Sequence, residues 1–359
     1  MSKKIVTILA SVGLGLSCLL FFLFLYKGQE TKATGNESAN ETLKQVVERD
    51  HLIKPTATET EKNAAKAEPK TMEEKQAVME ADRETMESYG LYYDYANMGL
   101  VEVVQAYLAE AGIDPSSIAF TYQDIATGDT FSLNDTQPMT AGSTYKLPLN
   151  MLVVDEVEKG KLSLTEKFDI THTDYEYEGE HDNYVAAFAG EMTIPDMQEY
   201  SLVYSENTPA YALAERLGGM EKAFSMFDRY GKSKSAEIPT ISQENKTTTS
   251  YYIQVLDYLW KHQEKYQDLL NFIGISFPGE YYKMFVNGVT IYQKPGYVRE
   301  ALNVDAIIME KSPYLVSLYT AGLGGTTPES NVLSAVGMYQ VGQICYVINE
   351  WHRVNMNNG

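Results

Sequence analysis

One short motif limits what this chain can be more than any other feature of its sequence. Ser143 is followed three residues later by Lys146, and the apolar run Leu147–Val154 comes directly afterwards. Such a run predicts a buried helix, and residues three apart share one face of a helix. The lysine amine is therefore expected beside the serine hydroxyl, where burial lowers the amine pKa and lets it take the serine proton.

Two further short motifs follow in the chain. Ser205-Glu206-Asn207 precedes the helical pattern Ala210–Leu217, and Lys294-Pro295-Gly296 ends a strand-like stretch, Val286–Gln293. Ser-x-Asn also occurs at Ser38 and Ser132, whereas Lys-x-Gly occurs only once. Each motif alone is compatible with ordinary surface sequence, so the information lies in their order.

With these motifs the chain resembles the class A β-lactamases and related penicillin-recognising serine hydrolases, whose motifs are Ser-x-x-Lys, Ser-Asp-Asn and Lys-Thr-Gly. The resemblance covers nearly all of residues 91–355. It implies an α/β fold of the α+β type: a five-stranded antiparallel sheet built from both ends of the chain, flanked by helices, with a helical subdomain inserted between strands two and three. The elements that match are a first helix at Tyr92–Ala111, strands at Ile118–Ala126, Asp129–Leu133, Asn303–Met309 and Tyr314–Ala321, and a closing helix at Ser330–Trp351.

The resemblance also implies the catalytic roles. Ser143 is expected to attack a carbonyl, and Lys146 to accept its proton directly or through water. Ser205 is expected to pass a proton to the leaving nitrogen.

Four residues are implied to bind substrate. Asn207 is expected to hold the substrate amide or Lys146, and Lys294, followed by Gly296, to favour an anionic carboxylate. The backbone N–H groups of Ser143 and Tyr297 are expected to form the oxyanion hole.

Three departures from the family pattern affect the expected chemistry. Glu206 replaces an aspartate, and Pro295 replaces a hydroxyl residue and so removes a hydrogen-bond donor. The loop 231–246 lacks the Glu-x-x-Leu-Asn pattern that activates the deacylating water in these enzymes, and Glu237 is its best substitute. We therefore predict that acylation is faster than deacylation.

The N-terminus predicts a membrane anchor. Ile5–Tyr26 carries no charge and follows Lys3 and Lys4. A bilayer core about 30 Å thick is crossed by about 20 apolar residues, and the leading lysines favour an internal N-terminus. A cleaved signal peptide is the alternative, although no small-x-small site follows the run. Lipid attachment at Cys18 is the less favoured alternative, since apolar residues continue beyond it.

The next segment predicts an extended tether. Residues 27–90 are rich in polar residues and have no aromatic side chain before Tyr89, so they should not bury enough surface to fold alone. Met72, Met79 and Met86 recur every seven residues, as on one side of a short stalk helix. The predicted organisation is an anchor over 1–26, a tether over 27–90 and a hydrolase domain over 91–359.

Charge and ligand chemistry exclude some partners. A net charge of −20 opposes binding to nucleic acid. His172, His181 and the acidic run Glu176–Asp182 carry metal-binding groups, but the spacing fits no His-x-x-x-His helix, and a mobile acidic loop is the preferred interpretation. We predict no metal and no cofactor. Cys345, in the apolar pattern of the last helix, is expected to be a buried free thiol.

Together these features predict an extracellular, membrane-anchored serine hydrolase acting on β-lactams or D-alanyl-type peptidoglycan peptides. The alternative is a non-hydrolytic member of the fold that binds the cell wall or a partner. Labelling with a fluorescent penicillin distinguishes the two, because covalent attachment requires a working Ser143.

Overall fold

A five-stranded antiparallel sheet is the centre of the fold. The computed structural model describes residues 69–324 and 333–356. The strands of the sheet are β1 (Ile118–Asp124), β2 (Thr130–Leu133), β7 (Ile291–Val298), β8 (Ala301–Ile308) and β9 (Tyr314–Thr320). They lie in the order β2-β1-β9-β8-β7, so β1 pairs with β9, with Ile118 opposite Thr320.

The two faces of the sheet differ in chemistry because side chains alternate along each strand. One face carries core residues such as Phe120, Val304 and Val316. It packs against α3 (Leu100–Ala111) and α12 (Ala335–Asn355). The other face buries polar side chains, among them Asn303 and Asp305, and lies towards the inserted region.

The insert between β2 and β7 is mostly helical. Two short strand pairs accompany the helices: β3 (Met139–Thr140) with β6 (Lys246–Thr247), and β4 (Lys167–Asp169) with β5 (Glu191–Thr193). The helices are α4 (Lys146–Glu158), α5 (Glu178–Ala187), α6 (Ile194–Val203), α7 (Asn207–Arg216), α8 (Met220–Ser225), α9 (Thr249–Lys261), α10 (Gln267–Ile275) and α11 (Tyr282–Phe285).

The predicted fold class is confirmed, with corrections at element ends. The first helix begins at Leu100 instead of Tyr92, and the closing helix at Ala335 instead of Ser330. Lys294 lies in the middle of β7 instead of at a strand end. A turn that includes Thr127 and Gly128 joins β1 to β2, and Gly128 has a φ of 77°, which suits glycine. Cys345 is a buried free thiol, as expected.

Two further helices precede the predicted start of the domain. They are α1 (Met72–Ala81) and α2 (Arg83–Tyr89). Met79 and Met86 belong to the main hydrophobic core, whereas Met72 is 43% exposed. Arg353 of α12 donates two hydrogen bonds to Asp82 Oδ2, at 3.1 and 2.7 Å. The folded region thus includes residues 72–89, which the sequence had predicted as part of an extended tether.

Within the two described ranges, no helix has the length and apolarity to cross a membrane. The run predicted as an anchor, Ile5–Tyr26, lies outside those ranges, and so does most of the predicted tether.

Candidate active site

A cavity of about 930 Å³ lies where β7 meets the helical insert. Ser143, Ser205, Asn207 and Tyr297 all line it. Four residues that are far apart in the sequence, and that were predicted to act together, therefore face one space. The cavity is within the usual size range of a ligand-binding pocket.

The turn that carries Ser143 is held from two sides. Residues Gly142–Tyr145 form a short 3-10 turn that leads into α4. On one side, the Asn303 side-chain amide donates to the carbonyl oxygens of Thr140 and Ala141, at 2.7 and 3.1 Å. On the other side, β6 extends from Asn245, whose carbonyl accepts from the Ala141 N–H at 2.8 Å.

Gly296 is required by a close backbone approach. A Cβ atom at this position would lie 2.5 Å from the Ala141 carbonyl oxygen and 3.0 Å from the Thr144 nitrogen. Only glycine therefore lets β7 pass against the turn that carries Ser143. This approach also brings the Tyr297 backbone beside that turn, the arrangement needed for two N–H groups to stabilise one oxyanion.

Ser205 meets both predicted site lysines. Lys146 Nζ donates to the Ser205 carbonyl oxygen at 2.5 Å and to Asn207 Oδ1 at 2.6 Å. Lys294 Nζ donates to Ser205 Oγ at 2.7 Å and to the Pro295 carbonyl at 2.9 Å. Ser205 adopts a φ of 63°, in the left-handed region. In this conformation its carbonyl oxygen accepts from Lys146 and its hydroxyl oxygen accepts from Lys294.

Burial lowers the pKa of both lysines. Neither has any exposed surface. Burial lowers the pKa of Lys146 to about 8, against the opposing effect of Glu180, Glu206 and Glu176. Burial also lowers the pKa of Lys294 well below its ordinary value, and the positive charge of Lys146 adds to this. A lysine with a lowered pKa is a better general base at neutral pH.

A buried carboxyl lies behind Lys294 in the sheet. Asp305 is the cross-strand partner of Lys294 and accepts from Ser317 Oγ at 2.6 Å and from Tyr319 Oη at 2.9 Å. Burial raises the pKa of Asp305 to about 7. The Tyr319 hydroxyl also lies 2.7 Å from Thr144 Oγ1, so this polar network supports the residue next to Ser143.

Two acids, Glu176 and Glu180, contact the site although no sequence motif predicts them there. The segment Glu176–Asp182, predicted as a mobile acidic loop, includes the start of α5. Glu180 Oε1 accepts from the N–H groups of Asn207 and Thr208 at 2.6 and 2.7 Å. Glu176 lines the cavity and accepts from Asn207 Nδ2 at 3.2 Å. The one available signal was the concentration of acids between Glu176 and Asp182.

Glu237 is not brought to the cavity. Its side chain is exposed and is absent from the lining. The loop before β6 contributes Asn245 instead. As for metals, the described ranges contain no group of three or more His, Cys, Asp or Glu side chains arranged to hold an ion.

Backbone strain is concentrated around the cavity. Seven non-glycine residues of the described ranges have a positive φ. Five of them line the cavity: Ser205, Asn245, Phe277, Tyr281 and Arg299. Such conformations cost of order 1–3 kcal/mol each and cluster at functional sites.

The lining is also rich in aromatic side chains. These are Tyr145, Tyr177, Tyr204, Tyr211, Phe277, Tyr281 and Tyr297. Flat apolar rings with polar tips suit peptide or sugar surfaces.

The sheet order, the inserted helices and the placement of the three motifs define the β-lactamase fold. Similar solved structures include a β-lactamase from Chitinophaga pinensis (16% identity, TM-score 0.55, covering 69% of this chain and 97% of that chain). A class A β-lactamase of the last common ancestor of Gram-negative bacteria is 20% identical, with a TM-score of 0.57 and coverage of 70% of this chain and 98% of that chain. A β-lactamase from Xanthomonas campestris pv. campestris is 17% identical, with a TM-score of 0.56 and coverage of 68% and 97%. At these identities the likeness is one of fold.

The sequence itself shows the family. The pattern of the β-lactamase enzyme family matches residues 99–346, and the chain belongs to this family. A comparison with curated protein sequences finds no significant match.

Proposed function

We propose that the protein is a serine hydrolase that forms an acyl-enzyme through Ser143 with β-lactams or D-alanyl-type peptides. This proposal rests on the groups that surround the Lys146 amine. Its two acceptors are a carbonyl and an amide oxygen, and within the described ranges no carboxylate forms an ion pair with it. A buried amine held this way loses its proton more easily than one paired with a carboxylate.

The chemistry follows from this arrangement. The Ser143 oxygen forms a bond to the substrate carbonyl carbon while its proton passes to Lys146, directly or through water. The charge that develops on the carbonyl oxygen is stabilised by the N–H groups of Ser143 and Tyr297. The carbon–nitrogen bond then breaks, and the leaving nitrogen receives its proton through Ser205, whose hydroxyl Lys294 orients.

We propose further that the acyl-enzyme is hydrolysed slowly. Hydrolysis needs a water molecule held against the ester by a base. Glu237 is not at the cavity, and Glu176, the one acid of residues 69–324 and 333–356 that lines it, already accepts a hydrogen bond from Asn207. The protein is therefore expected to behave like a penicillin-binding protein.

Acylation is tested with a fluorescent penicillin and intact-protein mass spectrometry. We expect wild-type protein to gain one acyl mass and Ser143→Ala to gain none. Lys146→Ala should acylate at least about a hundredfold more slowly, because general-base assistance is worth about that much. Ser163→Ala, on an exposed turn outside the cavity, is the matched control and should label like the wild type.

Two outcomes would contradict the proposal. Equal labelling of wild type and Ser143→Ala would show that Ser143 is not the nucleophile. No labelling of any variant by a series of β-lactams and D-alanyl esters would favour the non-hydrolytic alternative. Steady-state hydrolysis of a chromogenic cephalosporin without accumulation of an adduct would refute slow deacylation alone.

A further inference from the structure

Glu180 holds the start of α7 from a different helix. The first N–H groups of a helix have no acceptor within that helix, and Glu206, the residue before α7, provides no side-chain cap. Glu180 Oε1 accepts from both Asn207 N and Thr208 N, at 2.6 and 2.7 Å. A carboxylate at this position also interacts favourably with the helix dipole.

The capped residue is the one that holds Lys146. Asn207 Oδ1 accepts from Lys146 Nζ at 2.6 Å, and its Nδ2 donates to Glu176 at 3.2 Å. Glu180 therefore fixes the backbone of Asn207, while Glu176 fixes the orientation of its amide. Both contacts come from the start of α5 or just before it, and they determine where the Lys146 amine is held.

Glu180 also acts through its charge. The ionisable groups that act on Lys146 are Glu180, Glu206 and Glu176, all from the insert. Lys146 in turn acts on Lys294 of β7. Of the three acids, Glu180 does most to raise the Lys146 pKa. Glu180 also shares a hydrogen bond with the Glu206 carboxyl, and burial followed by the Glu180 charge raises the Glu206 pKa to about 7.

We infer that Glu180 is a positioning residue for Lys146: it fixes the end of α7 that holds the amine and supplies the main negative charge that the amine senses. The inference rests on the proposed function for the role of Lys146 as the base. The start of α5 therefore keeps the Lys146 amine in place and raises its proton affinity.

The test uses the full chain in detergent with two independent measurements. Labelling with [ε-¹³C]lysine gives the Lys146 titration by NMR, with its signal assigned through Lys146→Arg. The rate of acylation by a β-lactam is measured across pH. In the wild type this rate should rise with pH through the Lys146 pKa of about 8, because the neutral amine is the base.

Glu180→Gln keeps an oxygen that can accept from α7 but removes the charge. We expect the Lys146 titration and the rise in acylation rate both to move to lower pH, by about half a unit or more. Glu180→Ala should also lower the rate at the plateau, since the cap is lost. Glu178→Gln makes the same chemical change on an exposed residue of the same helix turn, and it should leave both measurements unchanged.

The outcomes separate this inference from the proposed function. A normal pH profile and Lys146 titration in Glu180→Gln, with active wild-type protein, would overturn the inference and leave the function standing. A shifted Lys146 titration with no acylation of the wild type would overturn the function and leave the charge contribution of Glu180 standing. A comparable shift in Glu178→Gln would also overturn the inference, because the effect would then be one of general surface charge.

Discussion

Two buried amines converge on Ser205, and each depends on a different atom of that residue. Lys146 Nζ donates a hydrogen bond to the Ser205 carbonyl oxygen, and Lys294 Nζ donates one to the Ser205 hydroxyl oxygen. A substitution that removes only the Ser205 hydroxyl should therefore keep the hydrogen bond from Lys146 to the carbonyl oxygen. It should remove the hydrogen bond that Lys294 donates to the hydroxyl. At the scale of single residues, the site thus combines the proposed nucleophile, Ser143, with two lysines whose ammonium forms are disfavoured by burial.

Glu237→Gln should change the lifetime of the acyl-enzyme by less than about twofold, as other surface substitutions do. The reason is that Glu237 is exposed and does not line the cavity. The measurement is the decay of the acyl mass after removal of excess β-lactam. Glu176→Gln, at the acid that does line the cavity, is the informative comparison. A tenfold longer lifetime in Glu237→Gln would contradict the placement of this loop.

The residues of the site were predictable where a short motif carries the chemistry. Ser143, Lys146, Ser205, Asn207, Lys294, Gly296 and Tyr297 were all selected from the sequence, and the structure places them around one cavity or its wall. Asn303, Asp305 and Glu180 were not selected. They act through contacts with residues distant in sequence, and a single buried polar residue in a strand or helix gives no local signal of its partner.

At the scale of elements, α1 and α2 add a layer to the terminal-helix face of the sheet. Met86 has no exposed surface, and Met79 is 9% exposed. The side chain of Tyr89, at the end of α2, packs edge-on against Phe285 and Tyr346, with ring centroids 4.9 and 5.2 Å apart. These helices contribute directly to the hydrophobic core.

Met86→Ala should destabilise the protein by about 2–5 kcal/mol, the usual cost of removing a buried methionine side chain. Met72→Ala is the matched control, because the Met72 side chain is 43% exposed and its loss should cost less than about 0.5 kcal/mol. The measurement is the free energy of unfolding of the full chain in urea. Equal effects of the two substitutions would show that α2 is not packed against the domain.

The seven-residue spacing of the methionines predicts a single helix with one methionine face, but the structure has two helices, and Met79 and Met86 are buried whereas Met72 is exposed. Composition alone favoured an extended tether, since residues 27–90 have few large apolar side chains. Two buried methionines are enough to pack α1 and α2 onto the domain, because the domain supplies the rest of the hydrophobic core. The average composition of residues 27–90 does not show which side chains pack against another part of the chain.

At the scale of the whole molecule, we propose that the chain is held at the outer face of a membrane through Ile5–Tyr26. The full chain expressed in bacterial cells should fractionate with membranes, and protease added outside intact cells should release the domain. Replacing Leu14 and Leu20 by arginine should abolish membrane attachment, whereas arginine at Gln29 and Thr34 should not. Recovery from the medium of a protein whose N-terminus lies beyond Tyr26 would contradict the proposal.

The overall architecture was predictable because the order of three motifs identified a family with one sheet topology. The number of strands, their antiparallel arrangement and the helical insert are all as expected. The ends of elements were less predictable. For example, Lys294-Pro295-Gly296 continues as strand because β7 pairs with β8 on one side only, so the missing N–H of Pro295 leaves no partner unsatisfied in the sheet.

The pairing of β1 with β9 has a consequence for the order of folding. Residue 118 pairs with residue 320, so the middle of the sheet cannot close until residue 320 has been synthesised. Contacts between residues so far apart in sequence form slowly, because the intervening chain loses much conformational freedom when they close. Ser143 and Lys146 are synthesised well before the strands that hold their turn in place. The nascent chain therefore carries the proposed nucleophile long before its turn is held in place, and we expect reactivity only after β9 has been synthesised.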